Sequence, residues 1–261
     1  MSDNPTLKIE RAQGVMRIGL NRPEVYNAFN RDMALALQAA LKEAGEDDRV
    51  RAVILTGEGK AFCSGQDLAE AINPDGPGLD RILSEHYNPL VMAMRNTPKP
   101  IIVAVNGVAA GAGANLALAG DIVLAGESAT FIQAFAGIGL IPDTGGTLTL
   151  PYLVGPGRAS AWMMLGDRVT AADAADAGMI YRAVADDALM DEAMALAGRM
   201  ATQATKAFAL TKKALNAAAY GSLEDQLELE RQLQNEAADS ADFKEGVNAF
   251  LEKRKPEFQG K

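Results

Sequence analysis

The sequence predicts an α/β protein built on parallel strands, and three observations carry that reading. Short, wholly apolar runs alternate with segments whose apolar residues recur at helical spacing, the pattern of parallel strands joined by crossover helices. Hydrophobic residues make up 48% of the 261 positions, enough to bury a substantial core in one large domain or in a domain with an extension. After about Asp187 the strand pattern stops and only helical spacing remains.

Taken in order, residues 14–20 read as a strand, Asn21-Arg22-Pro23 breaks it, and residues 33–46 carry a helical apolar face. Residues 51–57 form a second buried strand closed by Gly57, and further strands follow at 100–105, 121–125 and 179–183. Residues 73–78, Asn-Pro-Asp-Gly-Pro-Gly, can hold neither helix nor strand, so they form a loop, either beside a ligand or as a plain surface turn. Helices are expected over 189–202, 206–220 and 222–235. Ser222 with Asp225, and Thr170 with Asp173, have the spacing of capping boxes. The last helix, 242–258, places Phe243, Val247, Phe250 and Leu251 on one face, a stripe that must bury against another subunit or back on this chain.

Composition narrows the function. A net charge of −9 without any block of five basic residues argues against nucleic-acid binding. Lys253-Arg254-Lys255 can hold a phosphate or simply end a solvated helix. The single cysteine, Cys63, excludes an intramolecular disulfide, and the single histidine, His86, leaves too few soft ligands for a zinc site. The opening Met-Ser-Asp-Asn-Pro has no charged and apolar leader pattern, and no apolar run reaches membrane-spanning length, so a soluble cytoplasmic protein without membrane contact is expected.

The chemistry concentrates between Pro98 and Gly146. An apolar strand there runs into small residues, Gly111-Ala112-Gly113-Ala114, which let backbone N–H groups approach a ligand closely. A helix starting at that turn would aim its unpaired N–H groups into it. Residues 60–68 supply a second small-residue turn after a strand, so N–H groups of the two turns could converge on one oxygen as an oxyanion hole. Neither phosphate-loop pattern is matched, because no third glycine follows Gly111 and Gly113 at the required spacing. Ser64 lies outside Gly-x-Ser-x-Gly and would need His86 to complete a triad, which disfavours a serine hydrolase. Asp143 stands among apolar and small residues; burial there would raise its pKa and make it a proton carrier, while the same residue could instead cap a helix begun by Thr144-Gly145-Gly146.

Together, Asn21-Arg22-Pro23, residues 61–68, Lys99-Pro100 with residues 106–113, residues 139–142 and residues 249–254 stand in an order that resembles the enoyl-CoA hydratase/isomerase (crotonase) superfamily over essentially the whole chain. The resemblance implies a spiral of ββα units, with residues 1–195 as an acyl-CoA-binding core and 196–261 as a helical region that builds trimers, often paired into hexamers. The implied substrate is an acyl-CoA thioester, coenzyme A entering as part of the substrate with no separate cofactor or metal. By position, the backbone N–H groups of Gln66 and Ala112 would hold the thioester oxygen. The thioester would lie along Ala61, Cys63, Ser64, Gly65, Asp67, Leu68 and Gly111, and Phe250 and Lys253 would reach it from a neighbouring subunit. Arg22 and the cluster at 253–255 are candidates for phosphate contacts.

The departures are informative too. Where a hydratase of this family carries two glutamates, this chain has Asn115 and Phe135, and neither titrates near neutral pH, so efficient hydration is not expected. Asp143 remains, and an acid there is catalytic in certain branches. The branch of ring-1,2-epoxyphenylacetyl-CoA isomerases, from phenylacetate breakdown, resembles this chain at Tyr87-Asn88-Pro89-Leu90 and at residues 106–114, 131–135 and 139–143. It implies formation of the seven-membered oxepin-CoA, with a shift of a 3,4 double bond to the 2,3 position as a second activity, and Asp143 as the proton carrier. Three alternatives stand beside it: a hydratase, a 4-chlorobenzoyl-CoA dehalogenase type with a nucleophilic aspartate, and a noncatalytic acyl-CoA-binding or assembly protein. The dehalogenase carries a tryptophan where this chain has Phe135, and retention of Asp143 weighs against loss of catalysis. Cys63, Ser64 and His86 either line the acyl pocket or fill space.

Overall fold

The chain starts with a hairpin of β1 (Leu7–Ala12) and β2 (Val15–Leu20), turned at Gln13 and Gly14. This computed structural model describes residues 5–219 and 221–261. Only β2 was expected. The first strand buries Leu7 and leaves Lys8, Glu10 and Arg11 exposed, as suits a charged strand at a sheet edge, so it has no apolar run to announce it.

Asn30 then caps α1 (Arg31–Glu46) by accepting the Met33 N–H at 3.0 Å, and the helix buries Met33, Leu37 and Leu41. It returns the chain to β3 (Ala52–Gly57), parallel to β2. A short strand, β4 (Ala61–Cys63), follows, then α2 (Leu68–Ala71), the expected loop, which ends at residue 77 because Gly78 already opens α3 (Gly78–Arg81), a π-helical turn (Ile82–Tyr87) and α4 (Asn88–Asn96). The same long-strand, short-strand, helix order recurs twice. β5 (Ile101–Val105) and β6 (Val108–Ala110) lead to α5 (Ala112–Leu118); β7 (Ile122–Gly126) and β8 (Thr130–Ile132) lead through a turn to α6 (Gly146–Val154). Next come α7 (Pro156–Leu165), β9 (Arg168–Thr170), α8 (Ala171–Asp176) and β10 (Arg182–Val184).

The long strands form one sheet in the order β1-β2-β3-β5-β7-β10, parallel except for the first pair; the short ones form a second, β4-β6-β8-β9, in which only β9 runs antiparallel. Side chains alternate across the first sheet. Val53, Leu55, Ile101, Val103 and Val105 pack with α1 and the second sheet. Ala52, Ile54, Ile102, Ala104 and Leu124 face the other way against Leu189, Ala193, Leu196, Ala197 and Ala201 of α9 (Leu189–Ala201). Burial on both faces is why these strands read as unbroken apolar runs.

Three expectations need correction. The strand expected over 179–183 begins only at Arg182, because Met179 and Ile180 are buried in a turn whose N–H groups both donate to the Ala174 carbonyl. A division at 195/196 would cut α9 in half, although that helix closes the back of the sheet; the helices not packed on it are α10 (Thr205–Ala218), α11 (Leu223–Ala238) and α12 (Ala241–Leu251). The last helix stops at Leu251 rather than 258, since Lys253 turns left-handed at φ 55° and the tail doubles back, its Gln259 and Gly260 N–H groups donating to the buried Asp242 carboxylate at 2.6 and 2.7 Å. At both expected capping boxes the N-cap half forms, Ser222 accepting from the Asp225 N–H and Thr170 from the Asp173 N–H, each at 3.1 Å, while each hydroxyl donates to the acid's carboxylate at 2.7 Å.

Within this one chain the stripe on α12 is not covered: Phe243, Val247, Phe250 and Leu251 are 52%, 41%, 82% and 71% exposed. What ties the terminal helices to the sheet is polar. Lys212 of α10 donates to Asp121 at 2.8 Å beside the start of β7, and Arg95 of α4 donates to Asn216 at 2.9 and 2.5 Å. Asp121 keeps Arg95 at 3.4 Å and the Ile101 N–H at 2.8 Å whatever happens to Lys212. Replacing Lys212 with Ala is therefore expected to cost about 2 kcal/mol, the scale of one charge-assisted hydrogen bond, read as a lower urea midpoint with an unchanged slope.

Candidate active site

Two turns that are far apart in sequence meet at Gly65. The Phe29 N–H donates to the Gly65 carbonyl at 2.7 Å and the Phe29 carbonyl accepts from the Asp67 N–H at 2.8 Å, forming a single parallel bridge between Phe29 and Gln66. Backbone groups alternate sides along an extended segment, so the N–H of Gln66 points away from Phe29. Gly65 sits at φ 97°, and a Cβ there would lie 2.9 Å from the Ala110 carbonyl oxygen and 3.6 Å from the Ala112 nitrogen. Glycine alone permits this approach. On the other side, Gly111 donates to the Ile132 carbonyl at 2.8 Å and releases the chain into α5, whose first residue is Ala112. An N–H in the first turn of a helix has no acceptor within that helix. The second contact point is Gly113, where a Cβ would lie 2.5 Å from the Cys63 carbonyl oxygen and 2.7 Å from its sulfur.

The other turn residues sort by what they touch. Ala61 and Cys63 are fully buried; the Cys63 sulfur accepts the Gly65 N–H at 3.4 Å, which fixes the turn, and burial pushes its thiol up to about 12. Ser64 is exposed and donates to the Val25 carbonyl at 3.2 Å. Asp67 caps α2 through the Ala69 N–H at 3.1 Å and pairs with Arg22 at 2.9 Å. Arg22 also donates to the Ala28 carbonyl at 2.6 Å, so its guanidinium clamps two segments of the turn together. Leu68 is exposed beside it, and the Gln66 side chain donates to Glu70 at 3.0 Å.

Asp143 lies beside α5, the helix that the second turn opens. Its carboxylate accepts the Thr144 hydroxyl at 2.7 Å, and burial holds its pKa above the usual carboxylate range, a shift that this hydrogen bond only partly offsets. The capping role is not what forms: Gly145 is the residue that opens α6, and no side chain caps it. Asp143 contributes its carbonyl, which accepts the Gly146 N–H and the Asn115 side-chain amide, each at 2.9 Å. Asn115 is buried and in turn accepts from Gln133 at 2.8 Å. Thr144 has φ 54°, a conformation a β-branched residue adopts only under constraint. The Phe135 ring lies 3.9 Å from the Cβ position of Gly111, covering that turn. The two positions without glutamates thus hold an apolar cover and a backbone tie. Sequence reading missed Gln133 and Thr144, since nothing in the spacing of either marks it as a neighbour of Asn115 or of a buried acid.

Phe250 and Lys253 stand exposed at the end of α12, and Arg254 between Lys253 and Lys255 turns back to Glu245 at 2.5 Å and Glu252 at 2.7 Å. Among the described residues, no group of three His, Cys, Asp or Glu could hold a metal, and no helix is long and apolar enough to cross a membrane.

Residues 10–261 match the family described as Enoyl-CoA hydratase/isomerase. A 1,2-epoxyphenylacetyl-CoA isomerase of Escherichia coli K12 is 50% identical over 252 residues, covering 95% of this chain and 96% of its own. A Rhodobacter capsulatus protein named "Probable enoyl-CoA hydratase" is 48% identical over 98% of both chains. The crystal structure of an enoyl-CoA hydratase from Bacillus anthracis superposes with a TM-score of 0.94 at 32% identity, covering 98% of this chain and 100% of that one.

Two outcomes follow from the geometry. Gly65→Ala is expected to lose about 1–3 kcal/mol in urea unfolding, from the left-handed backbone and the close carbonyl together, whereas Gly137→Ala, with open space around it, is expected to lose none. For Asp143 the sign is opposite. A folded-state pKa above the unfolded value of about 3.9 means that stability falls as pH rises through that interval. At pH 7 Asp143→Asn is expected to unfold at a higher urea concentration than wild type, the gap closing in acid; a less stable variant at pH 7 contradicts the burial argument.

Proposed function

The chain belongs to the enoyl-CoA hydratase/isomerase family, an acyl-CoA enzyme family with the crotonase fold, and from that premise we propose that it isomerises ring-1,2-epoxyphenylacetyl-CoA to oxepin-CoA, with 3-enoyl- to 2-enoyl-CoA isomerisation as a second activity. The observation that carries the proposal is Asp143, a half-buried carboxylate with a raised pKa and a loop held by Asn115, in a site where Asn115 and Phe135 supply no second acid. One titrating group suits an isomerisation, in which a proton leaves one carbon and re-enters at another and no atom is added. Hydration asks for a base to activate water and an acid to protonate carbon.

In the reaction so proposed, the N–H groups of Gln66 and Ala112 bond the thioester oxygen and stabilise it as the enolate forms, each donor contributing on the order of 10²–10³ in rate. Asp143 takes the proton from the carbon next to that carbonyl, its pKa lifted by burial toward the working pH, and delivers it further along the conjugated system. The Thr144 hydroxyl holds the carboxylate in place. The CoA portion lies along Ser64, Gly65 and Leu68, and the uncovered stripe on α12 seats on another copy, carrying Phe250 and Lys253 to that copy's thioester in a trimer or a pair of trimers. Arg22 and Asp67 shape the turn rather than bind phosphate.

A hydratase is the second reading, favoured by the 48% identical relative of that name. The two readings part on crotonyl-CoA, which only a hydratase consumes. With the epoxide generated in situ and oxepin-CoA followed by NMR, wild type is expected to form product, and Asp143→Asn to keep thioester affinity while losing at least about 10²-fold in turnover. An epoxide left unchanged by wild type sinks the isomerase reading.

A further inference from the structure

Beyond the acid and the two turns, a buried tyrosine borders this site with no partner for its hydroxyl. Tyr87 ends the six-residue π-helical turn between α3 and α4. Such a turn widens the helix, changes the phase of the side chains after it, and recurs at functional sites. Tyr87 is 1% exposed, and its hydroxyl has no hydrogen-bond partner. Buried tyrosine hydroxyls usually find one.

Its place is bracketed from both sides. The ring meets Phe29 with centroids 5.9 Å apart, and Phe29 is the residue whose backbone flanks Gln66. One helical turn on, Val91 lies 3.7 Å from the Cβ position of Gly145, two residues from Asp143. The helix face bearing Tyr87 and Val91 therefore runs from the Gln66 turn to the Asp143 loop. Asp143 is engaged with Thr144, the Cys63 sulfur with the Gly65 N–H, and Glu70 with the Arg31 N–H and Gln66 at 2.9 and 3.0 Å, while the buried side-chain oxygens of Gln66 and Gln133 at the same site also have no partner. Burial, together with Cys63, Asp143 and Glu70, pushes the phenol well above its ordinary range, so it remains a neutral donor.

We propose that the Tyr87 hydroxyl is a further substrate-binding group, donating a hydrogen bond to an oxygen on the acyl part of the thioester, which under the isomerase reading above, on which this assignment rests, is the ring oxygen of the epoxide. The thioester oxygen belongs to Gln66 and Ala112; Tyr87 takes the second oxygen and so sets the carbon frame against Asp143. No proton leaves the phenol, because the one proton transferred moves between carbons through Asp143.

Tyr87→Phe removes only the hydroxyl. With ring-1,2-epoxyphenylacetyl-CoA generated in situ, kcat is expected to fall on the order of 10²-fold, the usual cost of misplacing a reacting group. The Kd for phenylacetyl-CoA, which has no ring oxygen, is expected to match wild type, with a Tm no lower. A wild-type epoxide rate in Tyr87→Phe overturns the proposal, and so does a joint loss of phenylacetyl-CoA affinity and Tm, the mark of a packing role. Wild type that binds phenylacetyl-CoA yet leaves the epoxide unchanged overturns the isomerase reading and this proposal with it.

Discussion

The site depends on the close approach of two backbone turns at Gly65 and Gly113. Each ββα unit sends its short strand into the second sheet and ends it in a turn, so the turns after β4 and β6 lie side by side because their strands are paired. A side chain at either glycine would collide with the opposite turn's backbone. The buried sulfur of Cys63 sits between them as packing. Sheet pairing sets the distance, and glycine allows it to be short.

Against this rigid half stands a loop under local constraint. Thr144 is held in a left-handed conformation, and the amide of Asn115 and the N–H of Gly146 both bind the carbonyl of Asp143. The carboxylate itself is left with neutral donors, the Thr144 hydroxyl and its own backbone N–H, and no opposing cation among the groups that shift its pKa. A salt bridge there would lower its pKa, whereas the isomerisation proposed above asks for a raised one. Elsewhere the chain uses charge pairs freely, Arg22 with Asp67 and Lys212 with Asp121, where their task is to hold segments together.

The terminal helices differ from the rest in how they meet the chain. α9 belongs to the apolar back of the sheet, while α10 is fastened by Lys212 and Asn216 and α12 leaves large apolar side chains in the open. An exposed stripe of this kind ordinarily marks a protein contact, consistent with the proposal that another copy covers it.

By itself, the sequence determined the α/β class, the four longest interior strands, the helices after Asp187 and the two N-caps at Thr170 and Ser222. Each of these is written in a local pattern: an apolar run, a helical period, a Ser or Thr three residues before an acid. The edge strand β1 and the short strands β4, β6, β8 and β9 were not legible, since three residues, or a strand with one solvated face and mostly charged side chains, carry too little periodicity to register. Only the tertiary structure decided that Asp143 is a half-buried carboxylate and not a helix cap, that Asn115, itself held by Gln133, anchors its loop, that Arg22 clamps Asp67, and that Tyr87 borders the site without a partner. Those facts depend on residues distant in sequence meeting in space, and burial and hydrogen bonding are set by such neighbours, not by spacing along the chain.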